Sequence, residues 1–152
     1  MRLESAGDFS VAASRETTEE YLTDAIEVCE CLPGEIHEVD GRDDGGVTVH
    51  MTASHAGASE DVRVRFYVDD STAGDGRVRY SGHGVGSRVK VDLEGEFDFE
   101  EGDDGVDVEW WGAADVGGVL SSLNRGVAGV AIRQKLDETA DNVRTALDAR
   151  AD

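Results

Sequence analysis

Residues 25–34 read AIEVCECLPG, and the chain changes character across them. Into this stretch run Tyr21, Leu22, Ala25, Ile26 and Cys29, which recur at helical spacing. After it, from Glu35 to Asp115, apolar residues recur every second position. Pro33 is the only proline in the chain, and with Gly34 it stops the helical pattern where a strand must begin. Upstream, Ser14 is placed to cap a helix whose first turns carry Glu16, Glu19 and Glu20, where the helix dipole favours acids. The spacing predicts one or two short helices from about Arg15 to Cys31, preceded by a strand of weak alternation from Arg2 to Val11.

Downstream, Val47, Val49 and Met51 alternate with polar neighbours. So do Val62, Val64, Phe66 and Val68, then Val78 and Tyr80. Val89, Val91 and Leu93 follow, continuing through Gly95 to Phe97 and Phe99; Val106, Val108 and Trp110 close the series. Acidic, Gly-rich turns separate the runs, as at 41–45, 73–76 and 101–105. Short strands apolar on one face and joined by tight turns make an antiparallel meander with one wet side. The alternation ends at Gly117-Gly118. A helical stripe from Leu120 through Leu123, Val127, Leu136, Ala140 and Val143 to Leu147 then predicts close to thirty residues of helix, about 40 Å.

One apolar sheet face and one apolar helix stripe are buried most simply on each other. The expected fold class is therefore α+β: a curved antiparallel sheet of about seven strands around a long C-terminal helix, with two short helices after the first strand. No repeat or linker divides the chain, so residues 1–152 are expected to form one domain. A sheet of this size curls, and one helix does not fill its concave side, particularly where Gly82, Gly95 and Gly112 contribute no volume. The expected result is a pocket for an apolar ligand lined by Phe66, Tyr80, Trp110, Leu120, Leu123 and Val127, with His83 in reach. The plainer alternative is that small residues permit close packing and leave no void.

Composition narrows the function classes. Asp and Glu number 34 against 14 Lys and Arg, a net charge of −20 in 152 residues, and Lys90 and Lys135 are the only lysines. Self-repulsion at this charge weakens a compact state in dilute salt and is screened in concentrated salt. An acidic, lysine-poor surface spread along the whole chain reads as halophilic adaptation, to a salt-rich cytoplasm. Clusters of Lys and Arg for phosphate contacts are lacking, which argues against nucleic acid as a partner. No stretch approaches the ~20 apolar residues of a membrane span, and acids stand where a signal peptide has its basic region. A cytoplasmic location is expected.

Chemistry-bearing patterns are sparse. Cys29 and Cys31 read as buried thiols at a helix end, since a metal site would want two more ligands. His37, His50, His55 and His83 show no metal-ligand spacing. Carboxylate pairs such as Asp69-Asp70 fall in turns and read as solvated surface. His83, beside glycines in Tyr80-Ser81-Gly82-His83-Gly84, would need a partner such as Tyr80 or Glu94 to serve as an acid–base group; the plainer reading is an exposed histidine. Trp110 is expected inward, and Trp111 outward on a partner surface. No catalytic residue, metal ligand or cofactor is assigned.

The order strand, two short helices ending in Cys31-Leu32-Pro33-Gly34, six strands and a long helix resembles the helix-grip fold of the START-like (SRPBCC) superfamily. That superfamily includes polyketide cyclases, plant stress ligand-binding proteins and lipid-transfer domains. The likeness is strongest to the CoxG-like family, named for the CoxG subunit of carbon monoxide dehydrogenase. It rests on the amphipathic segment entering the Cys-Leu-Pro-Gly turn, on Val91-Asp92-Leu93-Glu94-Gly95, and on the small residues from Gly112 to Gly118. The resemblance implies a cavity between sheet and helix for a hydrophobic small molecule, quinone- or lipid-like. It also implies an accessory role beside a molybdenum hydroxylase of the carbon monoxide dehydrogenase type. Longer family members carry a tail beyond the domain, and the end at Asp152 speaks against a membrane-anchoring role. The alternative within the superfamily is a polyketide cyclase- or dehydrase-like enzyme using the same cavity.

Overall fold

The structure is a computed structural model that describes residues 2–55, 58–118 and 125–151, with side chains for all of these except 55, 58, 118 and 125–131. Strand β1 is Arg2–Val11. Helix α1, Arg15–Leu22, begins where Ser14 accepts the Thr17 amide at 3.1 Å, and it ends at Thr23, whose hydroxyl donates to Glu19 O at 2.8 Å. Asp24 then caps α2, Ala25–Cys29, by accepting the Ile26 and Glu27 amides. Ser14 and Asp24 each satisfy amide groups that a helix start leaves without a partner.

Gly34 completes the turn into the sheet. Its φ of +144° suits glycine, and a Cβ there would lie 2.7 Å from Thr52 O and 2.8 Å from Met51 Cε. The strands that follow are β2 (Glu35–Gly41), β3 (Val47–His55), β4 (Ala58–Asp69), β5 (Arg77–Val85), β6 (Val89–Glu101) and β7 (Val106–Gly118), with a 3-10 turn at Ala73–Asp75. All pairings are antiparallel, in the spatial order β1-β7-β6-β5-β4-β3-β2. This is the expected meander, with β1 returned beside β7. Strand β2 shows no two-residue period because its register shifts between Ile36 and Glu38. That bulge puts Ile36 and Val39, three apart in sequence, against the same core.

Helix α3, Arg125–Asp148, has 24 residues and is about 36 Å long. It lies along the β1–β7 side of the concave face, where Ser5 Oγ donates to Asp137 Oδ1 at 2.6 Å and Leu136 Cδ2 sits 3.4 Å from where a Cβ of Gly112 would be. Its C-terminal half is fixed. Ala140, Val143 and Leu147 are buried, Asn142 Nδ2 donates to Cys31 O at 3.1 Å, and Arg150 bonds Glu27 at 2.9 Å with its guanidinium 4.5 Å above the Tyr21 ring. Leu22, Cys29, Val49, Val78, Val143 and Leu147 each keep no accessible surface. The end of the fold closed by α1 and α2 is therefore packed solid. Among the described residues no helix is long and apolar enough to cross a membrane.

Candidate ligand-binding cavity

Away from the packed end, sheet and helix separate around a cavity of about 510 Å³. That falls within the range of small-molecule sites. The two-residue period builds it: inward positions of β3 to β7, including Met51, Val64, Phe66, Tyr80, Leu93, Phe97 and Trp110, form one wall. Ile132, Leu136, Ala140 and Val143 of α3 form the other. Gly95 pairs with Gly112 on the neighbouring strand and with Tyr80 on the other side. No side chain rises from either glycine, and both line the cavity. A Cβ at Gly95 would meet only ordinary contacts, Trp111 O at 3.5 Å and Tyr80 Cδ2 at 3.9 Å. The hollow is thus bounded by bare backbone where a packed core would carry side chains.

The aromatic rings interlock. Phe66 stacks on Tyr80 at 5.8 Å between centroids, and Phe97 meets Tyr80 edge-on at 5.6 Å. The Tyr80 hydroxyl donates to Leu22 O at 2.5 Å, and burial holds its pKa well above the ordinary phenol value. It therefore stays protonated and engaged with the backbone, a wall member and not a free acid. Nearby, the two cysteines are free and buried. Cys29 donates to Ile26 O at 3.0 Å, and burial, reinforced by Glu30, pushes its thiol up to about 12. Cys31 sits 3.0 Å from the Tyr21 hydroxyl, and burial raises both groups. Neither thiol is activated.

The rim is polar. Ser54, Ser59, Glu60 and Arg88 stand there, and Glu60 Oε1 accepts the Ser87 hydroxyl at 3.1 Å and the Arg88 amide at 2.5 Å. An apolar interior with a polar mouth suits an apolar or amphipathic guest.

Of the predicted lining residues, Phe66, Tyr80 and Trp110 come together on this wall. Leu120 and Leu123 lie outside the described residues, as does the side chain of Val127. His83 is corrected: it is exposed on the opposite, convex face, with Nδ1 2.6 Å from Asp92 Oδ1. Regular alternation through β5 sends Tyr80, Gly82 and Gly84 inward and His83 outward. Glu94, the other partner considered for His83, bonds Arg2 at 3.3 Å. Tyr80 and His83 therefore do not form an acid–base pair. Trp111 falls on the convex side opposite Ala6 and Glu96 and is half-buried. One juxtaposition had no counterpart in the sequence pattern. The β2–β3 ladder brings Glu38, Asp40 and His50 together, with ligand-type atoms within 4.8 Å, on the surface away from the cavity. Exposed groupings of this kind are common on so acidic a protein, and only the cross-strand register makes it visible.

Residues 7–148 match the model of the family described as the carbon monoxide dehydrogenase CoxG subunit. Among curated proteins no match was found. Similar solved structures share the fold at low identity. A conserved protein from Geobacillus kaustophilus is 15% identical with a TM-score of 0.78, covering 95% of each chain. A protein from Thermus thermophilus is 11% identical, with a TM-score of 0.70 over 100% of each. The Zhui aromatase/cyclase from a Streptomyces species is 14% identical, with a TM-score of 0.66 over 99% of this chain and 94% of its own.

Proposed function

The chain belongs to the carbon monoxide dehydrogenase CoxG family, and from that premise we propose that it binds and carries a hydrophobic small molecule, quinone- or lipid-like, in the cavity beneath α3. The single observation that carries this reading is the apolar space of about 510 Å³ behind a polar rim. A guest burying about 300 Å² of apolar surface gains roughly 7 kcal/mol. Association costs offset much of that, so micromolar binding requires walls already in place, as interlocked Phe66, Tyr80 and Phe97 provide. Residues 1–152 act in this proposal as one ligand-binding domain. The carrier serves as an accessory of a molybdenum hydroxylase of the carbon monoxide dehydrogenase type, with no catalytic residue or cofactor of its own.

A second reading, a cyclase- or dehydrase-like enzyme in the same cavity, draws on the likeness to the Streptomyces aromatase/cyclase. It would need an acid–base pair other than Tyr80 and His83, which the sheet separates. Solvent extraction and mass spectrometry of the natively purified protein test the carrier reading. The expected result is an apolar molecule at about one per chain, displaced by a short-chain naphthoquinone that quenches Trp110. Gly95→Leu, which fills the cavity, should bind at least about tenfold more weakly while remaining folded. An empty protein whose fluorescence ignores the quinone would remove the proposal.

A further inference from the structure

On the convex face, the basic residues of β5 each stand across the ladder from an acid. Arg77 reaches Asp98 at 2.8 Å, Arg79 reaches Glu96 at 2.9 Å, and His83 reaches Asp92 at 2.6 Å. The pattern breaks at one place. Arg63 faces His50 on one side and Val85 on the other; Arg65 faces Thr48 and His83; Lys90 faces Val85 and Gly117. These three cations are exposed, and among the described residues none makes an ion pair. The chain has 34 acids for 14 Lys and Arg, so a group of unpaired cations runs against its composition. The neighbouring acids are engaged elsewhere: Asp92 with His83, Asp61 with the Thr52 hydroxyl at 2.8 Å, and Glu60 with the Ser87–Arg88 turn. Val85, 43% exposed, sits between Arg63 and Lys90 and is one of two large exposed apolar residues among those described. Adjacent strands lie about 5 Å apart, so the patch is roughly 10 Å across. It also adjoins the cavity, because Arg88 and Val89, which precede Lys90 in the chain, both line it and Arg88 is exposed.

We propose that this patch docks an acidic segment of a partner protein, with an apolar side chain against Val85, beside the mouth of the cavity. Charge complementarity selects the occupant. A planar anionic bilayer would meet the whole molecule and its net −20, whereas a segment one strand wide meets only the patch. Exposed ion pairs are individually weak and salt-sensitive, and Val85 supplies a contribution that salt does not screen.

Fluorescence anisotropy with a fluorescein-labelled Glu-Glu-Leu repeat peptide, at about 0.1 M KCl, tests this. The wild type is expected to bind, and Arg63→Ser/Arg65→Ser/Lys90→Ser to bind about tenfold more weakly or worse. Arg63→Lys/Arg65→Lys should keep the binding. Removing the same number of charges elsewhere, in Arg77→Ser/Arg79→Ser/Arg144→Ser, should leave it unchanged, with thermal melting confirming that each variant is folded. Equal loss in the two triple variants, no binding by the wild type, or wild-type binding to phosphatidylglycerol vesicles in preference to the peptide would overturn the proposal.

Discussion

Tyr80 combines two roles in one side chain. Its ring stands between Phe66 and Phe97 on the cavity wall, and its hydroxyl reaches past the wall to the last residue of α1. Tyr80→Phe keeps the ring and leaves the buried Leu22 carbonyl without that donor. The expected loss is about 1–3 kcal/mol in denaturant unfolding, with binding of apolar ligands retained. A variant as stable as wild type would show that the bond contributes nothing. Phe66, Tyr80 and Trp110 are readable from the sequence because each belongs to a run of alternating apolar residues that fixes its phase. His83 is not. Between Ser81 and Gly86 the chain offers two glycines and a valine besides His83, and the valine, Val85, points outward while Gly82 and Gly84 point in. Hydrophobicity cannot set the phase there; the pairing of His83 with Asp92 does.

The Cys-Leu-Pro-Gly turn decides how the helices meet the sheet. Gly34 lets the backbone pass against Thr52, and Cys31 O one turn earlier receives Asn142 of α3. A side chain at residue 34 would strain a left-handed φ and collide with Thr52 O. Gly34→Ala should therefore destabilise the protein by about 1–3 kcal/mol, seen as a lower denaturation midpoint with little change of slope. A neutral result would mean that the turn relaxes freely. The helix cap at Ser14 and the strands of regular period stand out in the sequence because local chemistry determines them, whereas the cap at Asp24 appears only in the structure. Strand β2 does not show in the same way. Its bulge puts Ile36 and Val39 three apart on one face, a spacing that mimics a helix.

Over the whole molecule, charge and hollow interior act against stability together. A net charge of −20 repels itself, and the cavity forgoes the contacts that a filled core would have. Raising KCl from about 0.1 M to about 1 M shrinks the screening length from about 10 Å to about 3 Å. The melting temperature should rise accordingly, by about 2–4 °C for each kcal/mol of repulsion removed. A midpoint that is flat or falls with salt would contradict this view of the surface. The order of elements and the one-sided strands are legible in the sequence. The cavity is only suggested there, because its volume depends on how far α3 stands from the sheet and on Gly95 meeting Gly112 across a ladder.

The central claim is that this space is open to a guest. A crystal structure of the protein grown with a short-chain naphthoquinone addresses it directly. The account predicts electron density for the ring between Phe66, Tyr80, Trp110 and Leu136. An interior filled by the protein's own side chains, with no guest at any quinone concentration, would contradict it.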